Sequence, residues 1–439
     1  MQYTVSSPAL LAHHDPPWVG PVLAALTPTV QVHLPASTLT VPLWTLPALF
    51  AAIPDPRHAR GCRYRVPALL AAVLAALLCN HLSQLAAAEW LRDQLPAIQR
   101  ALGFVPGRTP HQCTFNRVLA LLDPNALATV IHHWFDPPPP LADPPRDSAA
   151  RPRGSQGVAL DGKAQRGRFH STPLVPGTSV VHEVAAFCAE LGTVLAAAPV
   201  TGHEDKAAAE LNTAPLVIAQ VNWAGRVLTG DALLCQRTLC EQVVAAGGDY
   251  LFTVKANQGH LLDALQRWFA PEPPRRYDYA PVATDKRETA TCDRQRGRLE
   301  IRYLCATEAL AGVLDWPHLA QVFMVIRSWQ CGAAVSQEQH WGITSLPAAV
   351  AGVERLLELR RGHWGIENRL HYVKDVTMGE DASLLHEGHG PAVMSLLRDT
   401  VVSALHQAGH QQIAARLRYH ARHPAAALAL LGLTLPDFA

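Results

Sequence analysis

Hydrophobic residues recur with the period of an α-helix through residues 43–135. The periodic stretches cover residues 46–53, 66–78, 82–91 and 114–119. Asp123 comes directly before Pro124 and a further periodic stretch, which predicts that Asp123 caps another helix. We therefore expect a compact helical domain over residues 43–135, preceded by an irregular N-terminal arm over residues 1–42.

Prolines interrupt this pattern and indicate a domain boundary. They occupy positions 137–140, 144, 145 and 152. Because proline fixes φ and lacks a backbone donor, the sequence predicts a stiff, extended linker over residues 136–156.

Short hydrophobic strands alternate with helical patterns after the linker. Residues 157–270 predict the order β-β-β-α-β-α-β-α, which is typical of an α/β fold. Residues 271–346 predict further strands and turns, and the pattern becomes helical again from about residue 348. We expect the chain to end in a helical tail over residues 406–439.

Two aspartates come just after strands of this predicted sheet. Asp161 follows Val-Ala-Leu, and Asp231 follows Val-Leu-Thr-Gly. Functional side chains gather at the carboxyl ends of strands in open α/β sheets, although Asp-Gly is also a common turn sequence. Two such aspartates in one domain favour a functional role, and we expect their strands to pair in parallel.

A third acid lies on the predicted helix near residue 365. His363 and Glu367 are four residues apart, so they share a helix face, which His371 continues. Such a pair also occurs on ordinary helix surfaces. We expect the apolar residues of this helix to turn towards the core, which brings Glu367 near the two aspartates; these residues are Ile366, Leu370 and Val373.

Three carboxylates suit a hard divalent cation. Carboxylate oxygens favour Mg²⁺ or Mn²⁺, and two such ions can activate the attacking oxygen and stabilise the leaving oxygen in phosphoryl transfer. The sequence contains neither a zinc-site spacing nor a phosphate-binding GxxxxGK[ST] loop. Nucleotide-driven and zinc-dependent chemistry are therefore disfavoured.

Charge and composition add a weaker argument about partners. The formal net charge is only +1, whereas many nucleic-acid-binding proteins are strongly basic. Arginines are nevertheless clustered in several short stretches, which are typical either of solvated surface or of sites that bind a nucleic-acid backbone.

Cysteine use and hydropathy bear on the compartment. The chain has nine cysteines and no CxxC pair, which fits a reducing cytoplasm. The longest apolar run, residues 66–79, is too short to span a bilayer. We expect a cytoplasmic, nucleoid-associated protein without a signal peptide or a membrane partner.

Five motifs in order resemble the DDE transposases of bacterial insertion sequences, in the branch of the H-repeat-associated proteins. They lie at residues 53–65, at 158–167 around Asp161, at 229–236 around Asp231, at 250–258 and at 361–381 around Glu367. The resemblance covers roughly residues 43–400. It implies an RNase H-like catalytic core over residues 157–270 and 347–405, interrupted by a β-rich insertion at 271–346.

The resemblance also implies roles for individual residues. Asp161, Asp231 and Glu367 would hold two Mg²⁺ or Mn²⁺ ions, and the enzyme would cut at transposon ends and join them to target DNA. The partners would be double-stranded DNA and a second copy of the chain in a synaptic homodimer. The residues expected to contact DNA are Lys374, His363, Arg360, Arg298, Arg57, Arg63 and Arg117.

Two positions depart from the motif of related transposases. Arg360 stands where that motif has tyrosine, and His363 stands where it has arginine, whereas Glu367 and Lys374 match. Two alternatives stay open beside this interpretation, a nuclease that cuts without joining and a non-catalytic DNA-binding remnant. Trp316, Trp329 and Trp341 are expected to be core residues or, for one of them, a stacking platform for an unpaired base.

Overall fold

The computed structural model describes most of the chain in segments. They are residues 3–6, 29–34, 37–42, 46–60, 62–136, 151–164, 182–200, 206–270, 285–295, 297–332, 334–433 and 435. Most of the predicted proline-rich linker, residues 137–150, lies outside them. The predicted irregular arm contains three antiparallel strands, β1 (Tyr3–Ser6), β2 (Thr29–Leu34) and β3 (Ser37–Pro42).

The predicted helical region is helical in the structure. Its helices are α1 (Leu46–Leu49), α2 (Val66–Leu78), α3 (Gln84–Arg92), α4 (Pro96–Ala101), α5 (Gln112–Leu121) and α6 (Pro124–Phe135). Almost every side chain of α2 is buried, which explains its uniformly apolar sequence. Asp123 caps α6 by accepting a hydrogen bond from the Asn125 backbone at 2.9 Å, as predicted.

Nine strands among the described residues form one sheet in the order β6-β5-β4-β7-β8-β12-β11-β10-β9. They are β4 (Gln156–Ala164), β5 (His182–Cys188), β6 (Thr193–Pro199), β7 (Arg226–Gly230), β8 (Asp249–Val254), β9 (Arg287–Gln295), β10 (Arg298–Thr307), β11 (Gln321–Cys331) and β12 (Ala334–Thr344). β4 pairs in parallel with β7, and β7 with β8. The predicted parallel pairing of the two aspartate-bearing strands is confirmed.

The strand that carries Asp161 is longer than predicted. Its pairing with β7 ends at Ala159 and Thr229, but its pairing with β5 continues to Ala164. Asp161 therefore lies inside a strand, at the point where one neighbour departs, and not in a turn.

The predicted β-rich insertion continues the same sheet. β12 pairs antiparallel with β8, so that Trp341 lies opposite Val254. β9 begins a meander through β10 and β11 to β12, and the sequence pattern did not predict β9. Pairing with β12 satisfies the edge of β8, which would otherwise present unpaired backbone groups.

Helices cover both faces of the sheet. α7 (Lys206–Ile218), α8 (Arg237–Ala245) and α9 (Gly259–Phe269) share a hydrophobic core with one face. α10 (Val353–Gly362), α11 (Gly390–Gln407), α12 (Ile413–Arg422) and α13 (Pro424–Leu430) follow β12. α11 packs against β6 and the N-terminal helices, and one core joins them.

No helix within the described residues has the length and apolar character to cross a membrane.

Candidate metal centre

Asp161, Glu367 and His371 come together at a cleft beside the part of β4 that extends beyond its pairing with β7. One ligand atom from each residue lies within 4.8 Å of the other two. His371 Nδ1 is 3.6 Å from Asp161 Oδ2 and 3.7 Å from Glu367 Oε2. The sheet therefore supplies one carboxylate. The helical segment of residues 367–377 supplies the second carboxylate and the imidazole.

The helical segment that carries Glu367 is held by apolar packing. Ile366 and Leu370 are fully buried and Val373 nearly so, in the core that includes Ala159 of β4. This is the predicted orientation of that helix. The segment Glu367–His371 is π-helical, with a hydrogen bond from the Tyr372 backbone to Glu367. Such wide turns occur often at functional sites.

The electrostatics of Asp161 and Glu367 fit a cation-binding pair. Burial, followed by the charge of nearby Glu367, raises the pKa of Asp161 to about 7. The interaction with His371 lowers the pKa of Glu367 to about 2. Two carboxylates that repel each other gain from a shared cation, so these side chains fit a divalent metal ion.

Asp231 lies at the same end of the sheet. Asp231 comes two residues after Thr229, the last residue of β7 that pairs with β4, so it lies beyond the paired part of the two strands, and among the described residues it is not part of the ligand group formed by Asp161, Glu367 and His371. The Asp231 side chain accepts a hydrogen bond from the Leu234 backbone at 3.3 Å. Asp231 is exposed, and it follows the strand directly.

His363 contacts the end of β7, close in sequence to Asp231, and precedes Glu367 by four residues. Its Nδ1 lies 3.4 Å from the Thr229 hydroxyl, at the end of β7. Burial lowers the pKa of His363, whereas the charges of Asp231 and Glu367 oppose this shift. The predicted residues Asp231, His363 and Glu367 therefore belong to one electrostatic neighbourhood.

A cavity of about 390 Å³ opens beside the carboxylate pair. It is lined by Gly162, Lys163, Ala164, Lys206, Glu367, His371, Asp375 and Asp381. A side chain at Gly162 would overlap the Glu210 carboxylate of α7. Glu210 also contributes to the raised pKa of Asp161, so it is a fourth acid near the site that sequence patterns did not reveal.

Two known protein families match most of this sequence. Residues 152–398, which include Asp161, Asp231 and Glu367, match the family described as "Transposase DDE domain". Residues 48–135 match the family described as "DDE_Tnp_1-associated". The chain belongs to the DDE transposases. Within them it falls in the H-repeat-associated branch, as the sequence motifs predicted.

The name of one curated relative supports that placement. The "H repeat-associated putative transposase YhhI" of Escherichia coli K12 is 25% identical over 56% of this chain and 63% of its own length. The "Putative protein YbfL" of the same strain is 23% identical over 80% of this chain and 88% of its own. A piggyBac transposase synaptic complex with hairpin DNA is 11% identical, with a TM-score of 0.35 over 88% of this chain and 77% of that one.

The structure places Lys374 inside the transposase and away from any surface that DNA could reach. Its side chain is 2% exposed, and Nζ lies 2.7 Å from both Asp399 Oδ1 and the Ser395 hydroxyl. Glu183 and Glu380 lie 3.7 and 3.8 Å away. The expected contact between Lys374 and a phosphate therefore needs correction, because buried acids already surround this ammonium group.

Arg360 lies near the end of α10, and Arg298 is the first residue of β10. Burial, followed by the nearby charges of Arg327 and Arg302, lowers the pKa of Arg360 to about 10. The guanidinium groups of Arg298 and Arg327 each lie 5.1 Å from the ring centre of Trp329. Several arginines thus gather on one face of β10 and β11, next to α10.

The three tryptophans of the distal strands occupy different environments. Trp316 is buried, and Trp341 packs against the core of β8 and α9, so these two are core residues as expected. Trp329 belongs to none of the hydrophobic cores of the described residues. It is partly exposed between two arginines, so it alone suits the predicted stacking role.

The predicted arginines of the N-terminal helices line a separate cavity of about 600 Å³. Arg63 and Arg117 are exposed there, together with His58 and Arg60. Arg57 is engaged by the protein itself, with Asp55 at 2.7 Å and the Tyr64 carbonyl at 2.7 Å. Arg57 is therefore a weaker candidate for DNA contact than Arg63 and Arg117.

Proposed function

We propose that this transposase hydrolyses phosphodiester bonds at the ends of its element and joins the freed 3′-hydroxyl to target DNA. One observation carries the proposal. The carboxylates of Asp161 and Glu367, which are far apart in the sequence, lie close together beside an open cavity. A cation bound between the two carboxylates would offset the repulsion between their charges.

Asp161, Asp231 and Glu367 have different parts in this proposal. Two Mg²⁺ or Mn²⁺ ions would supply activation of the attacking oxygen and stabilisation of the leaving oxygen. Asp161 is fixed within β4 and is one-quarter exposed, so it anchors the site. Glu367 is half exposed and faces the cavity, and Asp231, which directly follows β7, would complete the metal site when the ions bind.

We assign the catalytic unit to the RNase H-like class. The support is the order β-β-β-α-β-α over β4 to α8 and the parallel pairing of β4 with β7. We also propose the domain boundaries that the sequence predicts. In this proposal, residues 43–135 form the associated helical domain, and β9 to β12 form the insertion.

Double-stranded DNA is the proposed partner, as transposon end and as target. The arginines of β10 and β11 lie next to α10, and Arg63 and Arg117 line a second basic cavity. Guanidinium groups bind phosphate oxygens in two places at once, which fixes a duplex on the protein. Joining two transposon ends requires synapsis, so we propose a homodimer.

The test is cleavage and joining of a labelled duplex that carries the ends of the element, with Mg²⁺ or Mn²⁺. Asp161→Asn, Asp231→Asn and Glu367→Gln should each abolish cleavage while DNA binding persists. Glu358→Gln, in the same helical region but with a side chain 66% exposed and paired with Arg355, is the matched control and should cleave normally.

The possible results separate the proposal from its alternatives. Cleavage without joining would indicate a nuclease. DNA binding without metal-dependent cleavage would indicate a non-catalytic remnant. Cleavage that survives one of the three substitutions would remove that residue from the metal site.

A further inference from the structure

His371 occupies a position that the three-acid site does not explain. Its ring is buried, and Nδ1 lies at nearly equal distances, 3.6 and 3.7 Å, from the carboxylate oxygens of Asp161 and Glu367. These three atoms form the one group of possible metal ligands found in the described residues. A single nitrogen of His371 therefore faces both acids at once.

His363 provides an internal comparison on the same helical segment. It also has little contact with solvent, but its Nδ1 faces the Thr229 hydroxyl at 3.4 Å. The wide π-helical turn lies between Glu367 and His371 and not at His363. The local backbone therefore brings one of these two histidines, and not the other, onto the carboxylate pair.

We propose that His371 is the third protein ligand of the ion held by Asp161 and Glu367. This inference rests on the proposed metal-dependent function. It adds a nitrogen ligand to the two carboxylates that bind one of the metal ions. Mg²⁺ prefers oxygen ligands only, whereas imidazole nitrogen suits the transition metals. One nitrogen among the oxygens therefore biases this position towards Mn²⁺ over Mg²⁺.

The direct test uses the full-length chain with Mn²⁺ alone, without DNA. Electron spin-echo spectroscopy should detect a nitrogen coordinated to the bound Mn²⁺ in the unmodified protein. This signal should disappear in His371→Asn and persist in His363→Asn, the matched control.

Affinity supplies a second readout. In titration calorimetry His371→Asn should weaken Mn²⁺ binding by at least about tenfold, the loss that even outer partners of metal ligands produce. Mg²⁺ binding should weaken by a smaller factor. Circular dichroism and the melting temperature verify that the variant is folded, and the measurement on the unmodified protein does not depend on any variant.

The outcomes separate this inference from the proposed function. Bound Mn²⁺ without a nitrogen signal, together with metal-dependent cleavage, overturns the role of His371 and leaves the three acids in place. A nitrogen signal that disappears in His363→Asn instead also overturns it. A chain that neither binds Mn²⁺ nor cleaves DNA overturns the proposed function together with this inference.

Discussion

Two groups of lysine and arginine side chains lie near the helical region that contains Glu367, and they differ in their exposure to solvent. The inner group comprises Lys163, Lys374 and Arg398, whose side chains are 8%, 2% and 2% exposed. The outer group comprises Arg298, Arg302 and Arg327, whose side chains are 39%, 16% and 31% exposed. Both groups are paired with carboxylates, so ion pairing alone does not distinguish them.

The inner group fastens the elements that hold the two close carboxylates. Glu380 lies 2.8 Å from Lys163, two residues beyond Asp161 on β4, and 3.8 Å from Lys374, seven residues beyond Glu367. Arg398 of α11 reaches the same carboxylate at 3.3 Å. Because these charges are shielded from water, removing one of them leaves its partners uncompensated in the core.

The outer group is paired with acids but stays partly exposed to solvent. Glu300 pairs with all three arginines, and Asp293 and Glu338 pair with Arg302 and Arg327. Arg298, Arg327 and Trp329 nevertheless remain partly exposed on this face, and Arg360 extends it towards His363. Exposed pairs of this kind contribute little to stability. The comparison shows that burial, and not residue type, separates a structural cation from a candidate DNA contact.

The largest effect is expected from removing the central cation of the inner group. Lys374→Met should lower the free energy of unfolding by about 3–5 kcal/mol, because Asp399, Glu183 and Glu380 lose their shared partner. Denaturant unfolding measures this change. Arg298→Met, the counterpart in the outer group, should change it by less than about 1 kcal/mol. Equal effects of the two substitutions would contradict the distinction between the groups.

The next effect concerns pH and Glu380. Burial alone would raise the pKa of Glu380, but Lys374, Arg398 and Lys163 together lower it to about 2 from the usual 4.5. A lowered folded-state pKa stabilises the protein above pH 4.5, and this contribution is lost as the pH falls towards 2. From the size of the shift it amounts to roughly 3 kcal/mol.

Glu380→Gln tests this directly by denaturant unfolding at several pH values. The difference in unfolding free energy between the unmodified protein and the variant should be largest near neutral pH. It should shrink between pH 4.5 and 2, where the glutamate becomes neutral as well. A difference that is independent of pH would mean that Glu380 acts by shape and hydrogen bonding alone.

A smaller effect is expected at Trp329. If its ring stacks on a base, Trp329→Ala should weaken binding to a DNA end with unpaired bases by about 1–3 kcal/mol per stacked base. Binding to a fully paired duplex of the same length should change little, and that duplex is the control. Fluorescence anisotropy with both DNAs measures the difference, and equal losses on both would rule out stacking.

The smallest effect is expected in the salt dependence of DNA binding. Arg298→Ala and Arg327→Ala should each reduce the slope of log K against log salt by about 0.9, one phosphate contact. Arg237→Ala is the matched control, because Arg237 also lies over a tryptophan, Trp316, but on α8 and paired with Asp315. An unchanged slope for Arg298 and Arg327 would assign the outer group to solvated surface.

Local pattern was sufficient for much of the fold and for part of the site. The alternation of apolar stretches gave the order β-β-β-α-β-α-β-α, and the periodic helix around Ile366 and Leu370 was found with its buried face. Asp161 and Glu367 were recognisable because each stands beside a strongly apolar element. These features depend on neighbours within a few residues, which is the range that sequence periodicity reports.

Burial of charge and the shape of the sheet were decided only in the tertiary structure. Lys374 resembles a surface cation in the sequence, but its partners Glu183 and Asp399 come from β5 and α11. His371 and Glu210 join the site through a π-helical turn and through the packing of α7 on Gly162. The strands predicted as an insertion extend the central sheet because β12 pairs with β8. Except for the i,i+4 pair of Glu367 and His371, these contacts join residues that are distant along the chain, so their energies leave no periodic trace in the sequence.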